Sequence, residues 1–128
     1  YRDKNDGYSF ARDEHVRADN SENDIYFYAK DGIDYLASPN RLDGFLKYNK
    51  LTVLPYKGNF RFVREKMKTY GGEPSDDRVA VEKGSWVLVT TDKNTYALIQ
   101  VLDFRGEGEN RKIKLFLAYC PLSGEMFF

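Results

Sequence analysis

Apolar positions along this chain recur with a period of two, in short runs cut by glycine, proline, asparagine and aspartate. Side chains on a strand point alternately to opposite faces, so such runs read as strands with one buried face. The longest pair is Gly84-Ser85-Trp86-Val87-Leu88-Val89-Thr90-Thr91 and Thr95-Tyr96-Ala97-Leu98-Ile99-Gln100-Val101-Leu102, joined by Asp92-Lys93-Asn94. It predicts a central hairpin. A three-residue loop with Asn94 in the left-handed region would put Trp86, Leu88, Leu98 and Gln100 on one face. Val87, Val89, Ala97, Ile99 and Val101 would then share the other. A two-residue loop would instead pair Trp86 with Val101, so the core face turns on the loop.

A second hairpin has a sharper register. The runs Ile25-Tyr26-Phe27-Tyr28-Ala29-Lys30 and Ile33-Asp34-Tyr35-Leu36-Ala37-Ser38 flank Asp31-Gly32. That dipeptide marks a two-residue type I′ turn, which needs positive φ at both positions. Lys30 then faces Ile33, Tyr28 faces Tyr35, and Phe27 faces Leu36. Ile25, Phe27 and Leu36 share the core face; Tyr26, Tyr28 and Tyr35 share the opposite one, with Lys30 beside them. Asp34 falls on the core side next to Ala29, which is tolerable if that end is frayed or solvated.

The remaining pattern is coarser. Residues 1–7 are polar and read as a linker, followed by a short strand at Tyr8-Ser9-Phe10-Ala11. Residues 12–24 are charged and turn-rich. Phe45-Leu46-Lys47-Tyr48 and Leu51-Thr52-Val53-Leu54 read as strand fragments after a turn cluster at 39–44. Phe60-Arg61-Phe62-Val63-Arg64 alternates as a strand, with room for one helical turn at 65–69. An exposed loop at 70–77 precedes the strand Val79-Ala80-Val81-Glu82. Residues 112–120 alternate cleanly, with Ile113, Leu115, Leu117 and Tyr119 on one face; Pro121 stops the strand and 122–128 is a tail. No window keeps a 3.6-residue apolar period over three turns. Many short strands with frequent turns predict an all-β fold, an antiparallel β-sandwich or small barrel, in one domain spanning 1–128.

Composition changes this picture in one respect. Ten Tyr, nine Phe and one Trp form an aromatic excess that a β protein explains in part. Lys+Arg and Asp+Glu stand at 20 each, so the basic excess that reads phosphate is missing and no nucleic-acid partner is expected. The basic stretch at 61–68 is interrupted and reads as a solvated face. The lone cysteine, Cys120, lies in an apolar run and is expected to be a buried thiol; one cysteine forms no intrachain disulfide. No apolar run reaches the roughly 18 residues of a membrane span. The chain begins at Tyr1, which suggests an excised mature domain.

Little in the sequence points to catalysis. His15 is the only histidine and sits in a polar stretch, and no G-x-S-x-G nucleophile turn occurs. No catalytic residue, metal site or cofactor is expected. The acidic loop at 19–24 carries oxygen ligands of the kind calcium takes, but without EF-hand spacing; Asn and Asp also serve as ordinary turn residues. A binding module fits better. Tyr26, Tyr28 and Tyr35 with Lys30 are the residue types that stack on sugar rings and bond their hydroxyls, and Trp86 with Gln100 is a rival site if exposed. The expected partner is a polysaccharide or oligosaccharide. The alternative is a structural or protein-interaction domain packing against adjacent domains of a larger chain or another partner. A flat, Tyr-lined groove favours the first and a shielded tyrosine layer the second.

The run Val81-Glu82-Lys83-Gly84-Ser85-Trp86-Val87-Leu88-Val89-Thr90-Thr91-Asp92, followed by Tyr96-Ala97-Leu98-Ile99-Gln100-Val101, resembles the second half of a loosely defined β-rich accessory domain of extracytoplasmic bacterial proteins. Tyr8-Ser9-Phe10 and Asp24-Ile25-Tyr26-Phe27 are similar to its opening. In style that domain is similar to haem-scavenging β-sandwich lipoproteins, whose haem is held by paired histidines where this chain has only His15. The resemblance implies a non-catalytic role at the cell surface, in the periplasm or secreted, and no particular ligand.

Overall fold

The computed structural model describes residues 6–42 and 44–122. Its strands are β1 (Gly7–Ser9), β2 (Glu14–Val16), β3 (Ile25–Lys30), β4 (Ile33–Ala37), β5 (Lys50–Val53), β6 (Arg78–Val81), β7 (Trp86–Thr90), β8 (Tyr96–Arg105) and β9 (Lys112–Cys120); one helix, α1 (Phe60–Met67), follows β5. The strands form two antiparallel sheets, one of order β2-β1-β3-β4-β6 and one of order β5-β7-β8-β9. This is the sandwich arm of the expected fold; no barrel closes.

Both hairpin registers follow their turn chemistry. Asp31 and Gly32 have φ of 54° and 78°, and Lys30 pairs with Ile33, Tyr28 with Tyr35 and Phe27 with Leu36. Asn94 sits at φ 59°, the Thr91 N–H donates to the Thr95 carbonyl, and Trp86 pairs with Gln100. The loop is therefore the three-residue form. Val87, Val89, Ala97, Ile99 and Val101 face Ile25, Phe27 and Leu36 across the inter-sheet core. At one side the sandwich is closed by backbone bonds between Leu51 and Asp76, at 2.8 and 2.9 Å.

Several predicted elements differ. Residues 60–64 are the start of α1, not a strand. Phe60, Val63 and Met67 share one helical face, and the Asn59 side chain accepts from the Phe62 N–H at 2.9 Å, capping the helix. Phe45 to Tyr48 are irregular: Phe45 folds over the outside of the five-stranded sheet with Leu42, against Tyr26 and Ala37. The predicted linker ends earlier, since Gly7 belongs to β1 and the Asp6 carbonyl accepts from the Phe27 N–H; residues 1–5 of it lie outside the described residues. So do residue 43 of the turn cluster and 123–128 of the tail.

The result is three layers. The helix covers the outer face of the four-stranded sheet, on Leu54, Trp86, Leu88 and Leu98. Burying that face is what holds an eight-residue helix, since one so short is marginal on its own.

Candidate binding face

The predicted tyrosine cluster does assemble, on the outer face of the five-stranded sheet. Tyr26 and Tyr28 stand two apart on β3, Tyr35 lies opposite Tyr28 on β4, and Ala80 of β6 lies beyond Tyr35. Tyr26 and Tyr28 stack with ring centres 5.7 Å apart, and Tyr28 and Tyr35 at 5.0 Å. The Arg78 guanidinium lies 4.6 Å from the Tyr35 ring centre and donates to the Tyr28 hydroxyl at 2.7 Å. The ladder therefore runs Tyr26, Tyr28, Tyr35, Arg78. Tyr26 is 2% exposed, beneath the loop that carries Leu42 and Phe45. Tyr28 and Tyr35 are half-buried, while Lys30, Ile33 and Ala80 are exposed around them.

Charge on this face is arranged by a few contacts. The bond to the Tyr28 hydroxyl holds the Arg78 pKa above its ordinary value. Among the described residues neither Arg78 nor Lys30 forms an ion pair. Burial works most strongly against the charge of Arg41, but the Asp77 hydrogen bond at 2.9 Å and the Asp77 negative charge together outweigh it and raise the Arg41 pKa. Burial likewise works against the Asp77 carboxylate, and bonds from Arg41 and Asn40 outweigh that and lower its pKa.

Trp86 and Gln100 do not join this face. Trp86 is fully buried on the outer side of the four-stranded sheet, beneath α1, and its Nε1 donates to the Gly58 carbonyl at 2.9 Å. Gln100 Nε2 reaches the same carbonyl at 3.4 Å. The rival aromatic site is thus a structural anchor, because residues 60–67 form a helix over it in place of the expected strand. Tyr26 is likewise enclosed by the loop read as a strand fragment.

Asp34 is neither frayed nor simply solvated. It accepts from Arg111 Nε and Nη2 at 2.6 and 2.8 Å, and Arg111 also lies over the Phe104 ring at 4.7 Å. Arg111 is held charged by that bond to Asp34. The pair lines a cleft of about 550 Å³ beside the β3–β4 turn, with Ile33, Val53, Lys57 and Val81. The neighbouring charges there are also matched, Lys57 with Glu82 at 3.7 Å and Lys83 with Asp103 at 4.0 Å.

The acidic loop uses its oxygens internally. Asn23 Oδ1 accepts from the Tyr8 N–H, Asp24 Oδ2 from the Phe10 N–H, and Asn20 Oδ1 from the Glu22 N–H. His15 is exposed and meets the edge of Tyr8 at 5.0 Å, and the Cys120 thiol is buried. Arg78, Arg41 and Ala80 were not anticipated. The pattern predicts the strand that carries Ala80 and adjoins Arg78, but its placement beside β4 is a long-range pairing with no local signal, and Arg41 ends the short 3-10 turn Pro39–Arg41. Comparison with protein-family models, curated proteins and solved structures finds no match to this chain.

Proposed function

We propose that this is a non-catalytic interaction domain that docks a protein partner on the outer face of its five-stranded sheet. One observation carries the reading: the closed ladder Tyr26–Tyr28–Tyr35–Arg78. Stacking a sugar requires an open ring face, and in this ladder Tyr28 is flanked by two rings and Tyr35 by a ring and a guanidinium. Tyrosine and arginine are, by contrast, the residues that anchor protein interfaces. Their rotamers are already fixed by stacking, so docking loses little side-chain entropy. Ile33 and Ala80 add exposed apolar area beside them, and Lys30 and Arg78 add positive charge for acidic groups on the partner. An extracytoplasmic accessory role belongs to the same proposal, supported by the resemblance carried by residues 81–101.

The test is a photo-cross-linking amino acid at Ile33 and, as a control, at exposed Phe62 on α1, in the full-length protein in its native cells. The expected result is one protein adduct from position 33, none from 62, and loss of the adduct on Arg78→Ala. Calorimetry against a polysaccharide panel runs beside it. Glycan binding that Tyr35→Ala abolishes, or no adduct specific to position 33, overturns the proposal.

A further inference from the structure

We propose that β9 is a pairing edge for a second copy of this chain, joining two four-stranded sheets into one continuous sheet of eight. The proposal is independent of the binding face. The sandwich has one sealed side, where Leu51 and Asp76 exchange backbone bonds, and one open side, which ends in β2 and β9. β2 is three residues long, and a short edge offers little to pair with. β9 is nine residues long.

The register shows which backbone groups β9 leaves free. Bonding alternates along an antiparallel strand, and Thr91 bonds Thr95, so Ala97 and Ile99 of β8 bond toward β7. Tyr96, Leu98 and Gln100 therefore bond toward β9, through Cys120, Ala118 and Phe116. The N–H and C=O groups of Leu115, Leu117 and Tyr119 point away from the sheet. No backbone partner meets them among the described residues.

Open edges are ordinarily guarded by charge, proline, bulges or shortness. β9 has Lys112 and Lys114 at its start and Pro121 after its end. Between them Leu115-Phe116-Leu117-Ala118-Tyr119-Cys120 carries no charge, glycine or proline, the composition of a segment that pairs with other chains. Both of its faces have apolar surface to cover: Leu115, Leu117 and Tyr119 are only half-buried on the inner face, and Phe116 is 36% exposed on the outer.

The occupant that this strand itself specifies is another β9. A two-fold axis through Leu117 sets Leu115 opposite Tyr119, Phe116 opposite Ala118, and Lys114 opposite Cys120. Outward-bonding residues meet outward-bonding residues, aromatic side chains meet aliphatic ones, and no lysine faces a lysine.

Sedimentation equilibrium and residue-resolved amide exchange of the unmodified protein over a concentration series test this. The expected result is a dimer in which the Leu115, Leu117 and Tyr119 amides are protected as well as those of Phe116, Ala118 and Cys120. On dilution to monomer the first three exchange faster by on the order of tenfold or more, and the second three do not. Phe116→Lys, which adds a third cation to the edge, is expected to sediment as monomer. Should that variant unfold, the exchange pattern of the unmodified protein decides alone. A monomer at every concentration, or a dimer whose Leu115, Leu117 and Tyr119 amides exchange freely, overturns the proposal.

Discussion

Trp86 gives the sharpest test of the layering. Its side chain is fully buried among Leu54, Val63, Met67, Leu88 and Leu98, with Phe60 and Phe116 against its ring. Trp86→Ala removes the largest side chain beneath α1 and leaves a cavity, at a cost of about 4 kcal/mol. Against a total stability on the order of 5–15 kcal/mol, that is a large fraction. Trp86→Phe keeps most of the ring volume but removes the donor to the Gly58 carbonyl. A net hydrogen bond and a smaller void together cost roughly 2 kcal/mol. Gln100→Ala, whose amide is only 3.4 Å from that carbonyl, costs less than about 1 kcal/mol. Because the two donors share one acceptor, Trp86→Phe with Gln100→Ala should exceed the sum of the single effects by about 0.5 kcal/mol. Urea unfolding followed by far-UV circular dichroism measures all four. A cost below about 1 kcal/mol for Trp86→Ala refutes the reading of Trp86 as the anchor of the helix layer.

Three further outcomes follow from local geometry. Asn59→Ala deletes the cap on the Phe62 N–H and should cost about 1 kcal/mol in urea unfolding, with Asn59→Asp close to neutral. Gly106 has φ +78°, and a Cβ there would lie 2.5 Å from the Asn110 carbonyl oxygen, so Gly106→Ala should cost about 2 kcal/mol or more. Asp77 has its pKa depressed below the ordinary 3.8, so its contribution is fully present above 3.8 and is lost as pH falls through the lower folded value. A pH series of unfolding midpoints should show that acid-side loss in the unmodified protein and a smaller one in Asp77→Asn.

What was legible in the sequence is what local chemistry determines. Asp31-Gly32 sets its turn through positive φ and so fixes a register and two faces; Asn94 does the same for the central hairpin, but there the sequence leaves two loop lengths open. The helix escaped because Phe60-Arg61-Phe62-Val63-Arg64 alternates like a strand, and because Phe62 stands where a capping box would carry Glu or Gln. Without α1 the sequence supplies no cover for the face bearing Trp86 and leaves its exposure undecided. One signal did exist: Trp86-Val87-Leu88-Val89 is apolar without alternation, which is how a strand buried on both faces reads. The Asp34–Arg111 pair had no such signal, since its members are 77 positions apart and meet only once the sheets stack.

The covering layers also favour a protein over a sugar as the proposed partner. Each sheet of a sandwich has an outer face, and an apolar outer face must be covered by something. Here α1 closes the outer face over Leu88 and Leu98, and the loop with Leu42 and Phe45 closes the part over Tyr26 and Ala37. Among the surfaces that stay uncovered are the patch of Tyr28, Tyr35, Ile33 and Ala80, and the edge of β9. In the first, aromatic faces are spent on one another and on Arg78, leaving edges, hydroxyls and a guanidinium at the surface. Those are groups that meet polar and apolar protein surface together, and they offer no flat ring to a pyranose. In the second, among the described residues, outward backbone groups without a backbone partner lie beside half-buried Leu115, Leu117 and Tyr119, which another strand answers and a soluble glycan does not. Both proposals therefore name the same kind of partner, another polypeptide.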